Sequence, residues 1–248
     1  MRIVFFGNNY HRLSISCFEA IVDTGHEVAL GVFLPESSGL FKTARVAFEH
    51  GGVGAVVRGG LRLLRARLGA KLRAVTGSPS GFTSLIEIAE RRNLKTVDVT
   101  HLHRTETLET LREVAPDLII VGGFSKILKR DVIAIPRTAC VNIHPSLLPA
   151  YRGPNPVYWV VANGESKTGV TAHFIDEGID SGDIIDQMEV SIDVNAEEED
   201  VFSDCVEAAA LLAVEVVRKF EEGRIQRAPQ DPALASYFGH PPRGASSL

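Results

Sequence analysis

Residues 117–122, DLIIVG, and residues 139–144, ACVNIH, are two short apolar runs whose reading decides the fold. Both are too brief for a helix of ordinary length, and continuous Val, Ile and Leu over so few residues suits a strand covered on both faces. Similar runs recur at 2–6 (RIVFF), 27–33 (EVALGVF) and 95–99 (KTVDV), and the stretches between them at 13–24, 83–93 and 105–114 read as helical. Strand and helix in turn predict an α/β domain of Rossmann-like type: a mostly parallel twisted sheet with flanking helices, its site outside the carboxyl ends of the strands.

Downstream the texture changes to a loop punctuated by Pro and Gly, HPSLLPAYRGPNP at 144–156. Asn155 is placed to cap a short helix, Pro156 suits its first turn and Gly164 its close. Strands are expected at 168–176 and 183–192, joined by a turn around Asp180, Ser181 and Gly182. The acidic run Glu197 to Asp200 suits the positive end of a last helix over 197–222. From 228 to 248 the chain is rich in Pro, Gly and Ser, and this tail is expected to lack regular structure.

Composition excludes several classes. With 45% hydrophobic and 23% charged residues over 248 positions, the chain is not of the disordered kind. A net charge of −5 disfavours a protein that grips nucleic acid non-specifically. Cys17, Cys140 and Cys205 are isolated, without disulfide or zinc spacing, as suits a reducing cytoplasm. The apolar run in MRIVFFG is too short for a secretory h-region, and no stretch approaches the roughly 20 apolar residues of a membrane span. A cytoplasmic protein is expected, its oligomeric state open, a homodimer included.

Residues 36–82 depart from the alternation. Val57, Leu61, Leu64, Leu68, Leu72 and Val75 recur at helical spacing, and Arg58, Arg62, Arg65, Arg67, Lys71 and Arg73 add six positive charges with no acid among them. Such an insertion suits an anionic surface, whether lipid headgroups, RNA or a phosphorylated substrate. It suits better still an ordinary surface helix whose apolar stripe packs on the domain and whose arginines are solvated.

Familiar motifs are missing. Gly7 ends the first strand, but Asn8, Asn9, Tyr10 and His11 do not supply a dinucleotide fingerprint, and no P-loop or G-x-S-x-G elbow occurs. His101 and His103 lack further ligands nearby and read as surface histidines, so no metal is expected. In VNIH, by contrast, the two-residue period puts Asn142 and His144 on one face about 6 to 7 Å apart at a strand's carboxyl end. They are either a satisfied structural pair or part of a reacting centre.

The order NIHPSLLP (142–149), RG (152–153), a short helix, GVTAHF (169–174) and DEGIDSGDI (176–184) resembles the 10-formyltetrahydrofolate-dependent formyltransferases. That family includes methionyl-tRNA formyltransferase, glycinamide ribonucleotide transformylase and sugar-amine N-formyltransferases. The likeness is close over 117–186 and extends to MRIVFFG; it implies a catalytic domain over 1–227 and 10-formyltetrahydrofolate as co-substrate. By that resemblance Asn142, His144 and Asp180 are catalytic. Phe124, Ser125, Lys126, Ile127 and Leu128 would form a folate-binding loop, and Asp176, Glu177, Gly178 and Ile179 its second wall. Asn8, Asn9, Ser146 and Arg152 would lie on the substrate side, Arg152 either binding a phosphate or tying its loop down. His173 shares a strand face with Thr171 and is expected to be a pocket-wall or structural residue.

These residue types suit attack of an amine on a formyl carbon. Asn142 and a protonated His144 would donate to the developing oxyanion, single donors of this kind being worth ~3 to 4 kcal/mol, while Asp180 would favour the imidazolium. YRGPNPVYWVVANGESKTGVT, 151–171, looks most like enzymes that formylate nucleotide-linked amino sugars, so the expected substrate is such a small primary amine. Methionyl-tRNA, glycinamide ribonucleotide, hydrolysis of the folate donor and a non-catalytic anion-binding module remain the alternatives. The residues after the last helix are too few for the barrel of a two-domain tRNA enzyme. Gly7, Asn8 and Asn9 poorly match a Gly/Ser-rich phosphate loop, and a hydrolase would be expected to carry an N-terminal regulatory domain.

Overall fold

The computed structural model describes residues 1–34 and 84–242. The basic insertion expected at 36–82 lies outside the described residues. Strands β1 (Arg2–Asn8), β2 (Glu27–Leu34), β3 (Thr96–Asp98), β4 (Leu118–Gly122), β5 (Ala139–His144), β6 (Lys167–Phe174) and β7 (Ile184–Ser191) form one sheet in the order β3-β2-β1-β4-β5-β6-β7. Pairing is parallel from β3 through β5 and antiparallel for β5 with β6 and β6 with β7. The helices are α1 (Arg12–Asp23), α2 (Leu85–Arg91), α3 (Thr105–Val114), α4 (Arg130–Ile133), α5 (Pro156–Ala162) and α6 (Glu198–Glu221). The expected mostly parallel sheet with flanking helices is present, and element ends fall within two residues of the expected ones; among the described residues the single turn α4 and a short 3-10 turn in the tail have no expected counterpart.

The apolar runs are continuous because both faces of the sheet are covered. Ile3, Phe5, Ile120 and Val141 pack with α1 and α6 through Phe18, Cys205, Ala209 and Val216. Val4, Phe6, Ile119, Val121 and Cys140 pack on the other side with Leu108, Leu111 and Val132. Neighbouring residues of one strand therefore serve different cores. The three cysteines are buried, and burial pushes the Cys17 and Cys205 thiols up to about 12. Among the described residues no helix is long and apolar enough to cross a membrane.

Helix ends follow local chemistry. Ser84 Oγ accepts from the Glu87 N–H at 3.1 Å and starts α2, and Asp200 Oδ2 accepts from the Glu197 N–H at 3.1 Å ahead of α6. Pro156 opens α5, and Gly164, at φ +69, closes it with its N–H on the Val161 carbonyl. Asn155 does hold the N-cap position, but its side chain makes no capping hydrogen bond. Its backbone is left-handed, at φ +55, so the turn is made by the main chain rather than by the amide.

The tail expected to be irregular is tied down through most of its length. Ala228 exchanges two backbone hydrogen bonds with Ile184 at 2.8 and 2.9 Å, a 3-10 turn covers Pro232–Leu234, and Arg152 pairs with Ser236 and Phe238. Its Pro and Gly content forbids long regular elements, yet its backbone groups still find partners on other segments.

Phe18 is fully buried, its ring 5.1 Å from that of Phe5 and 5.3 Å from that of Phe33. Phe18→Ala is expected to cost about 3–5 kcal/mol in urea unfolding, as for large-to-small changes in a close-packed core.

Candidate active site

The site is built on β5 and β6. In their antiparallel register Asn142 lies opposite His173, and His144 opposite Thr171. Val141 and Ile143 point into one core with Ala172 and Phe174, so Asn142, His144, Thr171 and His173 share the other face. Thr171 Oγ1 donates to the Ser146 carbonyl at 2.6 Å and accepts from the Leu148 N–H at 3.0 Å, fastening the loop after β5 to β6.

Hydrogen-bond partners assign the ring protons. His173 Nδ1 lies 2.8 Å from the Phe174 carbonyl and must donate to it, leaving Nε2 to accept from Asn142 Nδ2 at 3.1 Å. The other Asn142 N–H faces Asp180 Oδ1 at a long 3.5 Å. His144 Nε2 donates to the Tyr151 carbonyl at 3.0 Å, which turns Nδ1 toward Asp180 Oδ2, 3.7 Å away. That carboxylate oxygen also accepts from the Gly153 N–H at 2.9 Å. The three residues expected to be catalytic are thus brought together. His173, read from sequence as wall or scaffold, bonds directly to one of them.

Burial pulls His144 below the ordinary histidine range, and the nearby Asp180 carboxylate opposes this without reversing it. Burial alone would raise Asp180, but the two imidazoles and the Gly153 N–H hold its carboxyl well below the usual range. The resting pair at neutral pH is therefore a carboxylate beside a neutral imidazole. The imidazolium expected from sequence is not the resting form, because a ring only 5% exposed loses more hydration than one carboxylate at 3.7 Å restores.

Two loops flank this cluster, and Phe124 from one and Ile175 from the start of the other pack on the same core. In the first, Ser125 N–H and Oγ contact Asn8 Oδ1 at 3.4 and 3.5 Å, and Lys126 Nζ donates to the Thr100 carbonyl at 2.7 Å. Leu128 is buried, whereas Ile127 is 70% exposed. His103, expected as a surface histidine, pairs with Asp131 at 2.9 Å through Nδ1 and meets the Ile127 carbonyl through Nε2. It tethers the loop. In the second loop Asp176 Oδ1 accepts from the Gly178 N–H and Ser181 Oγ, Glu177 is exposed and Ile179 is half exposed.

The residues expected on the substrate side are bonded within the protein. Asn9 is buried, and its Oδ1 accepts from the Ile86 N–H at 3.1 Å in the first turn of α2. Ser146 is fully buried and donates to the Ala150 carbonyl at 2.9 Å. Arg152 donates through Nε and Nη2 to Gln230 Oε1, at 3.1 and 2.6 Å, and so ties its loop to the segment at 230. Asn8 supports the 124–128 loop. Sequence reasoning missed Gln230, the Tyr151 carbonyl and the Gly153 N–H; the last two are backbone groups and carry no residue signature. Among the described residues no group of three or more His, Cys, Asp or Glu is placed to hold a metal.

Residues 80–217 match the formyl transferase family. The chain belongs to that family. It is 35% identical over 161 residues to a methionyl-tRNA formyltransferase of Clostridioides difficile, covering 65% of this chain and 52% of that protein. The chain spans about half the length of curated relatives of this kind. Its fold is that of an N-formyltransferase from Helicobacter canadensis solved with folinic acid and dTDP-3-aminofucose (TM-score 0.62, 19% identity, covering 96% of this chain and 71% of that one). It is likewise that of glycinamide ribonucleotide transformylase 1 from Symbiobacterium toebii (TM-score 0.63, 18% identity, covering 93% and 94%).

The electrostatics can be checked by titrating the imidazole by NMR. His144 should titrate below its unfolded value of about 6.5, and Asp180→Asn should move the midpoint lower still, since removing the anion takes away what favours the imidazolium. A midpoint at or above 6.5 in the parent protein would contradict the assigned protonation.

Proposed function

We propose that this chain moves the formyl group of 10-formyltetrahydrofolate onto the primary amine of a small substrate, with Asn142, His144 and Asp180 at the reacting centre. The observation that carries the reading is the cluster itself: the Asn142 amide and the buried, neutral His144 imidazole on one face of β5, with the half-buried Asp180 carboxylate 3.7 Å from His144 Nδ1. The flanking loops fit the donor, since exposed Ile127 and Ile179 offer apolar cover beside polar backbone. When bound, the donor supplies a formyl carbon already attached to nitrogen.

Each residue then has a task. The weakly engaged N–H of Asn142 donates to the formyl oxygen as negative charge builds there. His144 Nδ1 takes the proton that the attacking amine must lose. The resulting imidazolium lies between the Tyr151 carbonyl and the Asp180 carboxylate, both of which stabilise it. His144 then returns the proton to the departing nitrogen. His173 holds Asn142 by accepting one of its two N–H groups.

For the amine, the motif at 151–171 favours a nucleotide-linked amino sugar, and the net charge of −5 disfavours transfer RNA. The curated relatives named methionyl-tRNA formyltransferases favour a second reading, transfer to methionyl-tRNA. Incubating the protein and folate donor with each amine class, and with none, separates these readings from donor hydrolysis. The expected product is the amino sugar heavier by one CO; formylated methionyl-tRNA alone would select the second reading, and donor loss without amine would indicate a hydrolase. Asn142→Ala, His144→Ala and Asp180→Asn should each lower kcat/KM on the order of a hundredfold or more. A well-folded variant with near-parental rates would remove that residue from the reacting centre.

A further inference from the structure

Two loops must meet for this cluster to exist. The loop after β5 supplies the Tyr151 carbonyl to His144 and the Gly153 N–H to Asp180, and the loop after β6 supplies Asp180 itself. Neither is relaxed. Tyr151 has φ +60 and Asp180 φ +49, a region non-glycine residues occupy only when their surroundings hold them there.

Gln230 lies between these loops, beyond the family-matched residues 80–217. Its Oε1 accepts both Arg152 contacts, at 3.1 and 2.6 Å. Its Nε2 donates to the carbonyls of Asp180 and Gly182, at 2.9 and 2.7 Å. Both N–H groups and the oxygen are engaged, and only this orientation of the amide serves a guanidinium on one side and two carbonyls on the other. The same segment continues as a strap over the first loop: Ser236 Oγ accepts from the Tyr151 N–H at 2.8 Å, and the Phe238 ring stacks on that of Tyr151 at 5.1 Å.

We propose that Gln230 is a positioning residue for catalysis, joining the loop that orients His144 to the turn that presents Asp180 and so setting the spacing between them. Its effect is indirect, since it touches backbone and Arg152 rather than the reacting groups. The proposal rests on the formyl-transfer reading and deepens it.

The test uses two variants. Gln230→Ala removes every contact, whereas Gln230→Glu keeps an acceptor for Arg152 but has no N–H for the two carbonyls. Both should lower kcat about tenfold to a hundredfold, as expected when reacting groups drift by an ångström or less, with KM for amine and donor changed by less than about threefold. Leu234→Ala, an exposed position on the same segment, should leave kcat unchanged. A role confined to folding would lower the melting temperature and the yield of folded protein without this kcat-specific loss.

The His144 midpoint supplies a readout that needs no turnover. Asp180 and His173 are the titratable groups facing His144, and release of Asp180 should move its midpoint down in Gln230→Ala, which adds no charge of its own. Should Gln230→Ala fail to fold, Gln230→Glu decides. The proposal is overturned if a folded variant keeps kcat within about twofold of the parent, or if the His144 midpoint is unchanged in Gln230→Ala. If the parent transfers no formyl group to any amine, the formyl-transfer reading fails instead, and the midpoint alone judges the role of Gln230.

Discussion

The Asp180 carboxylate is kept ionised in a place from which most water is excluded, and the rest of the site is arranged around that requirement. Burial penalises its charge, which the Gly153 backbone N–H opposes at rest and the two imidazoles oppose further once acid protonates them. The N–H can reach because the chain at 153 has φ +100 and no side chain; a Cβ there would collide with the Phe238 carbonyl oxygen. Phe238 in turn is held by the Arg152 carbonyl through its own N–H. A single half-buried charge thus links β5, the turn at 180 and the segment at Phe238.

The same burial sets how the neighbours respond to acid. His144 and Asp180 both have folded-state values below their unfolded ones. As pH falls below about 6.5 the unfolded chain takes up a proton at His144 before the folded one does, and below about 4 the same holds for Asp180. Both groups therefore contribute stability that is present on the alkaline side and lost toward acid. A neutral imidazole beside an anion is also the right starting state for a base: it is empty of its second proton yet has a partner waiting when that proton arrives.

What the sequence made legible follows from what burial writes into side chains. The runs at 117–122 and 139–144 read as doubly covered strands because Ile120 and Ile119 face two different cores. Asn142 and His144 could be assigned one face from strand period alone, while Asp180 entered through resemblance. His173 needed the register of an antiparallel pair, which no local pattern states. Asn9 and Ser146 looked like ligand-facing polar residues, but their bonds go to nearby backbone. The protonation of His144 depends on how little water reaches it, and the order in the tail depends on distant partners; neither is a property of local composition.

Reaction chemistry and substrate choice are therefore written in different places. Asn142, His144, His173 and Asp180 all fall within the stretch that matches the formyl transferase family, and under the proposed reaction their geometry concerns an oxygen and a proton rather than the rest of the amine. Of the residues expected to meet the substrate, Asn8 and Asn9 support a loop and a helix, Ser146 closes its own turn, and Arg152 is bound to Gln230. A residue already bonded to the protein must give up that bond before it can recognise a ligand, and so discriminates weakly unless the ligand replaces what is lost. Under the proposed formyl transfer, recognition of the acceptor by Asn9, Ser146 or Arg152 would require exchange of the bonds these residues already make.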